Sequence, residues 1–180
     1  MRMGTKPRSV MLLCPAALSL ALVLAAPGCK KRSSDAEEPY RMQPAVRMSD
    51  ARAQMQLVSG FYGMEQGAWR WTKQNFSALL RPPAGAAQKG ATLQLRLTVP
   101  DVVISKLQSV TLSGAINGLA LPPETYDHPG TYVYTRDVPA DQMGSESAKI
   151  DFHLDKVMPP NPPDVRELGV VVLSLGLNSK

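Results

Sequence analysis

Cysteine is almost absent from this 180-residue chain, which has only Cys14 and Cys29. Both lie within the first 29 residues, so no disulfide can form inside residues 30–180. The two histidines, His128 and His153, lack the paired spacing of a zinc site. The sequence also lacks a GxSxG nucleophile elbow and a glycine-rich phosphate loop. We therefore predict a protein without a metal, a cofactor or a catalytic residue.

Charge is unevenly distributed along the chain. The formal net charge is +5, but residues 1–28 hold Arg2, Lys6 and Arg8 and no acidic residue. From Gly60 onward, 11 basic residues are matched by 11 acidic residues. Nucleic-acid binding requires a clustered basic face, so we expect no nucleic-acid partner.

Residues 1–28 have the pattern of an export signal. A basic start is followed by the apolar run VMLLCPAALSLALVLAA, which is shorter than the about 20 residues of a membrane-spanning helix. The run ends in LAAPGC, which resembles the lipobox of bacterial lipoproteins. The resemblance implies cleavage before Cys29, acylation of Cys29 with palmitate or a similar chain, and export to the cell membrane or outer membrane. A retained anchor and an unmodified Cys29 are the alternatives.

Residues 29–52 are polar and charged, with few large apolar side chains. Such a segment buries too little surface to offset the entropy of ordering its backbone. We predict a flexible spacer, in which Lys30, Lys31 and Arg32 contact anionic lipid head groups beside the attachment point.

Residues 53–180 show the alternating pattern of half-buried strands. The clearest example covers residues 91–99, and further strands are predicted over residues 68–72, 76–80, 110–116, 131–138, 149–155 and 168–177. Asn117-Gly118 is the favoured two-residue hairpin turn, after which a return strand begins at Leu119. The last strand is predicted to place Val171, Leu173, Leu175 and Leu177 inward.

Seven or eight such strands without a helical run between them predict an all-β, antiparallel β-sandwich. We expect a jelly-roll-like version, with an immunoglobulin-type sandwich as the alternative. The proline-rich segments RPPAGA, LPPE and MPPNPPD are predicted to connect the sheets, because proline cannot lie in a central strand.

Both tryptophans lie in the segment GFYGMEQGAWRWT, residues 60–72. If this segment ends in a strand, Trp69 and Trp71 share one face and Arg70 lies on the other. The two indoles then either fill the core or stack on sugar rings. Glu65 is close enough in sequence to pair with Arg70.

The order of Tyr62, Glu65 and Trp69-Arg70-Trp71, followed at the other end by DVRELG before a terminal strand, resembles small β-sandwich modules fused to bacterial glycosyltransferases. This resemblance implies a carbohydrate-binding-like domain. The ligand-binding candidates are Tyr62, Glu65, Trp69, Arg70, Trp71 and Arg166. Arg166 has a structural alternative, a pair of contacts to Glu65 or Asp164.

We therefore predict a membrane-tethered lipoprotein whose β-sandwich binds cell-envelope glycan without catalysis. The first alternative is an interaction or scaffolding subunit that docks on an envelope protein. A small hydrolase is the second alternative, and it requires two carboxylates facing one cleft.

Overall fold

The computed structural model describes residues 40–180. Nine strands make up this part of the chain, and every pairing between them is antiparallel. They are β1 (Ala45–Arg47), β2 (Leu57–Phe61), β3 (Arg70–Leu80), β4 (Ala91–Val99), β5 (Val110–Ile116), β6 (Leu119–Tyr126), β7 (Gly130–Val138), β8 (Ala148–Leu154) and β9 (Val171–Ser179). The predicted all-β antiparallel sandwich is confirmed. The predicted signal and Cys29 lie outside the described residues.

The strands form two sheets that share β3. Sheet I has the order β2-β3-β8-β5-β6, and sheet II has the order β3-β9-β4-β7, with β1 also paired to β9. At its start, β3 pairs with β9 through Arg70 and Trp71. From Asn75 to Leu80 it pairs with β8 instead. The first part of β3 therefore belongs to sheet II and the second part to sheet I.

The core lies between the inner faces of the two sheets. On β4 the side chains of Leu93, Leu95, Leu97 and Val99 are at most 1% exposed. On β8 the buried side chains are Ile150, Phe152 and Leu154. These are the alternating positions that the sequence predicts, because only one face of each strand is removed from water.

The hairpin predicted at Asn117-Gly118 is also confirmed. Ile116 pairs with Leu119 across the turn. Asn117 and Gly118 have φ values of 48° and 88°, and two positive φ angles in succession are the requirement of a type I′ turn.

Several sequence predictions differ from the observed elements. Residues 70–72 and 76–80, predicted in two separate strands, belong to the single strand β3, whereas residues 68 and 69 precede it. Pro122 and Pro123, predicted to connect the sheets, lie within β6. Because β6 is an edge strand with a register shift opposite Leu112 and Gly114, the missing N–H groups of the prolines break no central pairing.

Two short helices and an irregular strand were not expected from the sequence. The helices are α1 (Ala86–Lys89) and α2 (Asp101–Leu107), and single 3₁₀ turns cover Ala51–Met55 and Ala140–Met143. In β9 a register shift at Leu173 leaves that side chain partly exposed and buries Val172 completely. Leu173 was predicted to point inward, but a bulge reverses the alternation of the strand locally.

The domain begins well before residue 53. Within the predicted spacer, β1 pairs with β9, and Val46 and Met48 are 5% and 0% exposed. Gln56 is buried, and its amide accepts hydrogen bonds from the Tyr40 hydroxyl and the Gln43 N–H and donates to the carbonyls of Gln43 and Leu79. The composition of this segment did not predict that it is ordered, because its order depends on partners that are distant in the sequence.

We predict that a chain of residues 49–180 is much less stable than a chain of residues 40–180. The shorter chain lacks the buried side chains of Val46 and Met48, each of which contributes about 1.5–3 kcal/mol. It also removes three of the four hydrogen-bonding partners of the Gln56 amide, the Tyr40 hydroxyl and both backbone groups of Gln43. Urea unfolding followed by circular dichroism measures the difference. Equal unfolding midpoints would show that the segment before residue 49 does not belong to the domain.

Candidate functional site

The segment over residues 60–72 forms a tight hairpin between β2 and β3. Glu65 bridges to Trp69, and the turn between them uses Gln66 and Gly67 at positive φ. Trp69 and Trp71 lie on one face of the strand, as predicted, and their rings meet edge to face at 6.2 Å and 84°. Because the rings are nearly perpendicular, the two indoles do not form one flat platform.

Tyr62 connects this hairpin to the loop that precedes β9. Its hydroxyl donates a hydrogen bond of 2.9 Å to the carbonyl of Glu167. The cations of Lys73 and Arg166 lie 5.7 Å and 5.1 Å from the centre of its ring, within cation–π distance. Burial raises the pKa of the Tyr62 phenol above its usual value. Tyr62 is therefore held on both its ring and its hydroxyl.

Arg166 is the centre of an ion-pair network. It donates to Asp164 at 2.9 Å from Nη2, with further bonds from Nε, and to Glu65 at 2.7 Å from Nη1. Hydrogen bonds to Asp164 and Glu65 raise the pKa of Arg166, and hydrogen bonds from Arg166 hold the pKa of Asp164 below its usual value. This arrangement matches the structural alternative for Arg166, with both carboxylates as partners.

Arg70 is placed differently from its prediction as a ligand-binding candidate. It is 5% exposed, and its guanidinium donates to the Gln54 side chain and the Tyr62 carbonyl. Burial lowers the pKa of Arg70. The expected pair with Glu65 is not formed, since Glu65 binds Arg166. Because Arg70 is enclosed by the hairpin, it is not accessible to a ligand in this conformation.

The structure thus brings Tyr62, Glu65 and Arg166 together on one side of the hairpin. Trp71 packs against the core, and Trp69 is half-buried beside it. The ligand-binding role of these side chains remains a prediction. Their hydrogen bonds and ion pairs are directed mainly at one another.

A second polar site lies on the outer face of sheet I, where the sequence predicted none. A shallow groove of about 240 Å³ crosses four neighbouring strands, β2, β3, β8 and β5. Its polar lining consists of Ser59, Asn75, Ser77, Ser113, Asp151 and His153. The groove exists because most of these side chains, together with Ala115, are short.

The strand register arranges these side chains in two rows. In one row Asn75, His153 and Ser113 are direct neighbours, and Asn75 Oδ1 lies 2.8 Å from His153 Nδ1. In the other row Ser59 and Ser77 are neighbours, and their hydroxyls form a hydrogen bond of 2.8 Å. Cross-strand neighbours are about 4.5–5.5 Å apart, so the rows present closely spaced hydrogen-bonding groups.

Asp151 continues the second row, opposite Ser77 on β3 and Ala115 on β5. One of its oxygens binds Lys149 at 2.9 Å. The groove therefore combines hydroxyl, amide, imidazole and carboxylate groups on one surface.

The sequence contained part of the signal for this groove. The alternation over residues 149–155 already placed Asp151 and His153 on the outer face. It did not show that β8 lies between β3 and β5, because non-consecutive strands have no pairing signal in a single sequence.

Within residues 40–180, no group of three or more His, Cys, Asp or Glu side chains is arranged to hold a metal ion. In the same region, no helix has the length and apolar character needed to cross a membrane.

Comparison with known proteins identifies distant structural likenesses. No protein-family model and no curated protein matches the chain. An acetyl xylan esterase from the rumen bacterium Butyrivibrio proteoclasticus has a TM-score of 0.45 and 10% identity over 78% of this chain. The chain spans 33% of the length of that esterase.

Two further likenesses are to carbohydrate-binding modules. The CBM36-1 domain of a multidomain xylanase from the hindgut metagenome of Trinervitermes trinervoides has a TM-score of 0.40 and 10% identity, covering 76% of this chain and 96% of the module. A CBM4 structure has a TM-score of 0.35 and 12% identity, covering 76% and 85%. At TM-scores below 0.5, these likenesses carry no argument about function.

We predict that Arg166→Met destabilises the domain near neutral pH and that its effect shrinks in acid. The folded-state pKa of Asp164 lies below its unfolded value. The contribution of its pairing is therefore complete above about pH 4 and is lost as the pH falls through the folded-state pKa. Urea unfolding of both proteins at about pH 7 and at about pH 3 measures this change. An effect of equal size at both pH values would contradict the ion-pair network.

Proposed function

We propose that this chain is an exported lipoprotein whose β-sandwich binds carbohydrate of the cell envelope in the groove of sheet I. The observation that carries the proposal is the groove itself, with two rows of hydrogen-bonding side chains across β2, β3, β8 and β5. A shallow, open groove suits an extended polymer, which enters and leaves at the ends. The proposed role is binding, without catalysis.

The chemistry of the groove suits sugar hydroxyls, each of which donates one hydrogen bond and accepts others. Ser113 is a donor and an acceptor, Asn75 offers an amide, and Asp151 offers a carboxylate oxygen that Lys149 does not occupy. Neighbouring hydroxyls on a sugar ring require such alternating partners. A buried polar group without a partner costs about 1–3 kcal/mol, so a ligand without hydroxyls gains little from this surface.

The lipid tether rests on the sequence alone. The LAAPGC segment with Cys29 supports acylation, and the basic residues 30–32 support contact with anionic head groups. Two acyl chains hold a protein stably on a bilayer. A tethered glycan-binding domain links the membrane to envelope polymer, whereas a tethered scaffold recruits a protein, and the groove favours the first role.

We predict that Ser113→Tyr abolishes binding of the 40–180 chain to envelope polysaccharide, because a phenol at this position fills the groove. The matched control is Thr135→Tyr, an exposed position on the outer face of sheet II. Affinity electrophoresis through gels containing neutral or acidic envelope polysaccharides, together with co-sedimentation with peptidoglycan, measures binding. Asn75→Ala should weaken binding by about tenfold, the effect of losing one to two hydrogen bonds.

Two results would reject the groove as a glycan site. The first is retention of glycan binding in Ser113→Tyr at the level of Thr135→Tyr. The second is absence of binding to every polymer by a protein that is folded by circular dichroism. In the second case, a tethered scaffold becomes the preferred function.

We predict that Cys29→Ser abolishes incorporation of a palmitate analogue into the full chain expressed in a bacterium, and that it releases the processed protein from membranes. Cys14→Ser is the matched control and should retain the label, because residue 14 lies inside the predicted signal. Click-chemistry labelling and membrane fractionation provide the measurements. Equal labelling of the two variants would contradict acylation at Cys29.

A further inference from the structure

A second concavity lies between α2 and the loop that precedes β9. Its volume is about 440 Å³, within the range of about 300–1,000 Å³ that small-molecule sites occupy. Its apolar lining consists of Val102, Leu107, Met158, Pro159, Pro160 and Leu168. We call this concavity the α2 cleft. It is separate from the groove of sheet I, with which it shares no lining residue.

The charged side chains that line the α2 cleft are two cations and one anion, Lys106, Arg166 and Asp164. Arg166 binds Asp164 at 2.9 Å and also Glu65 at 2.7 Å, so its positive charge is already neutralised by carboxylates. Lys106 forms no hydrogen bond or ion pair with another residue of the described region 40–180. Lys106 is therefore the one available ammonium group in the lining of the cleft.

Lys106 is also not needed to cap its own helix. Lys156 Nζ lies 3.3 Å from the carbonyl of Leu107 and 3.2 Å from Ser109 Oγ, where it covers the negative end of α2. A lysine near a helix C-terminus commonly serves that purpose. Because Lys156 comes from another segment and fills this role, the Lys106 ammonium remains free to meet a ligand.

The lining also restricts the apolar part of a ligand. Its apolar walls are aliphatic, proline and methionine side chains, and no aromatic residue is among the residues that line the cleft. Aromatic ligands gain from stacking on aromatic walls, whereas an alkyl chain needs only apolar area. The cleft thus fits a chain with an aliphatic body and one negative end.

We propose that the α2 cleft binds an aliphatic carboxylate, with its alkyl chain against Val102, Leu107 and Met158 and its carboxylate on the Lys106 ammonium. This site is independent of glycan binding in the groove. A carboxylate and an ammonium form a charge-assisted hydrogen bond, which is roughly twice as strong as a neutral one.

The experiment is isothermal titration of the 40–180 chain with octanoate and, separately, with octan-1-ol. The two probes have the same alkyl length and differ in charge. We expect octanoate to bind at least about tenfold more tightly than octanol. Lys106→Met should reduce octanoate affinity to that of octanol and leave octanol affinity unchanged. Lys89→Met, at the end of α1, is the matched control and should change neither affinity.

A second pair of variants locates the site. Val102→Glu puts a carboxylate at the cleft and should weaken octanoate binding by at least about tenfold. Val133→Glu is its control on β7, since the two valines are 47% and 51% exposed. Because both positions are exposed, both variants should fold, which thermal unfolding verifies.

Three results would overturn the proposal. Octanoate fails to bind the folded protein, octanoate and octanol bind with equal affinity, or the lysine and valine variants behave like their controls. Each result leaves the glycan-binding proposal intact, because no variant in this series alters the groove.

Discussion

The division of β3 between two sheets is the constraint on which the rest of the structure depends. Where β3 leaves β9 and before it joins β8, Gly169 and Val170 pair with it instead. The N–H of Thr72 donates to the Val170 carbonyl, the Gly169 N–H donates to the Thr72 carbonyl, and the buried Thr72 hydroxyl accepts from the Val170 N–H. These bonds satisfy both backbone groups of Thr72 and of Val170 and the N–H of Gly169, as buried backbone requires.

The crossover also explains a glycine and the position of the ion-pair network. A Cβ on Gly169 would lie 2.5 Å from Leu154 Cδ1 and 2.7 Å from Thr72 Oγ1, so only glycine permits this close approach. Glu167 lies two residues earlier. Its carboxylate accepts a hydrogen bond from the Gln74 N–H, and its carbonyl accepts one from the Tyr62 hydroxyl. The loop that carries Asp164 and Arg166 is thus fixed to β3 at both Gln74 and Thr72.

The parts of the fold that the sequence predicted are those with local causes. Alternation in β4 and β8 follows from one buried face per strand, and the Asn117-Gly118 turn follows from its φ requirement. The missed parts depend on distant partners. The strand β1 exists because of β9, and α2 has the β-branched residues Val102, Val103 and Ile104, which favour strands. The segment is nevertheless a helix, because helical geometry buries Val103 in the core.

The candidate residues of the hairpin illustrate the same limit. Spacing placed Trp69 and Trp71 on one face, but it could not show that their rings are perpendicular or that Arg70 is enclosed. Arg166 was open to two interpretations until Glu65 and Asp164 appeared on either side of its guanidinium. The sequence alone does not show which partner a charged residue has in the fold. In the structure, Arg166 donates from Nε, Nη1 and Nη2 to these two carboxylates, which occupies most of its hydrogen-bonding capacity.

The two outer faces of the sandwich differ in a way that solvation alone does not explain. On sheet II most outward positions of β4 and β7 carry residue types that stabilise strands, Thr92, Thr98, Thr131, Val133 and Thr135, and the others carry Gln94, Arg96 and Asp137.

On sheet I the outward positions that line the groove include Asn75, Asp151 and Ala115, which are unfavourable in strands. Both faces meet water, so water contact cannot select one set over the other. Short polar side chains on neighbouring strands lower the stability of the sheet and create a hollow that presents hydrogen-bonding groups. Such a loss of stability is typical of a surface that serves binding. The groove, and not the aromatic hairpin, is therefore the stronger basis for a function.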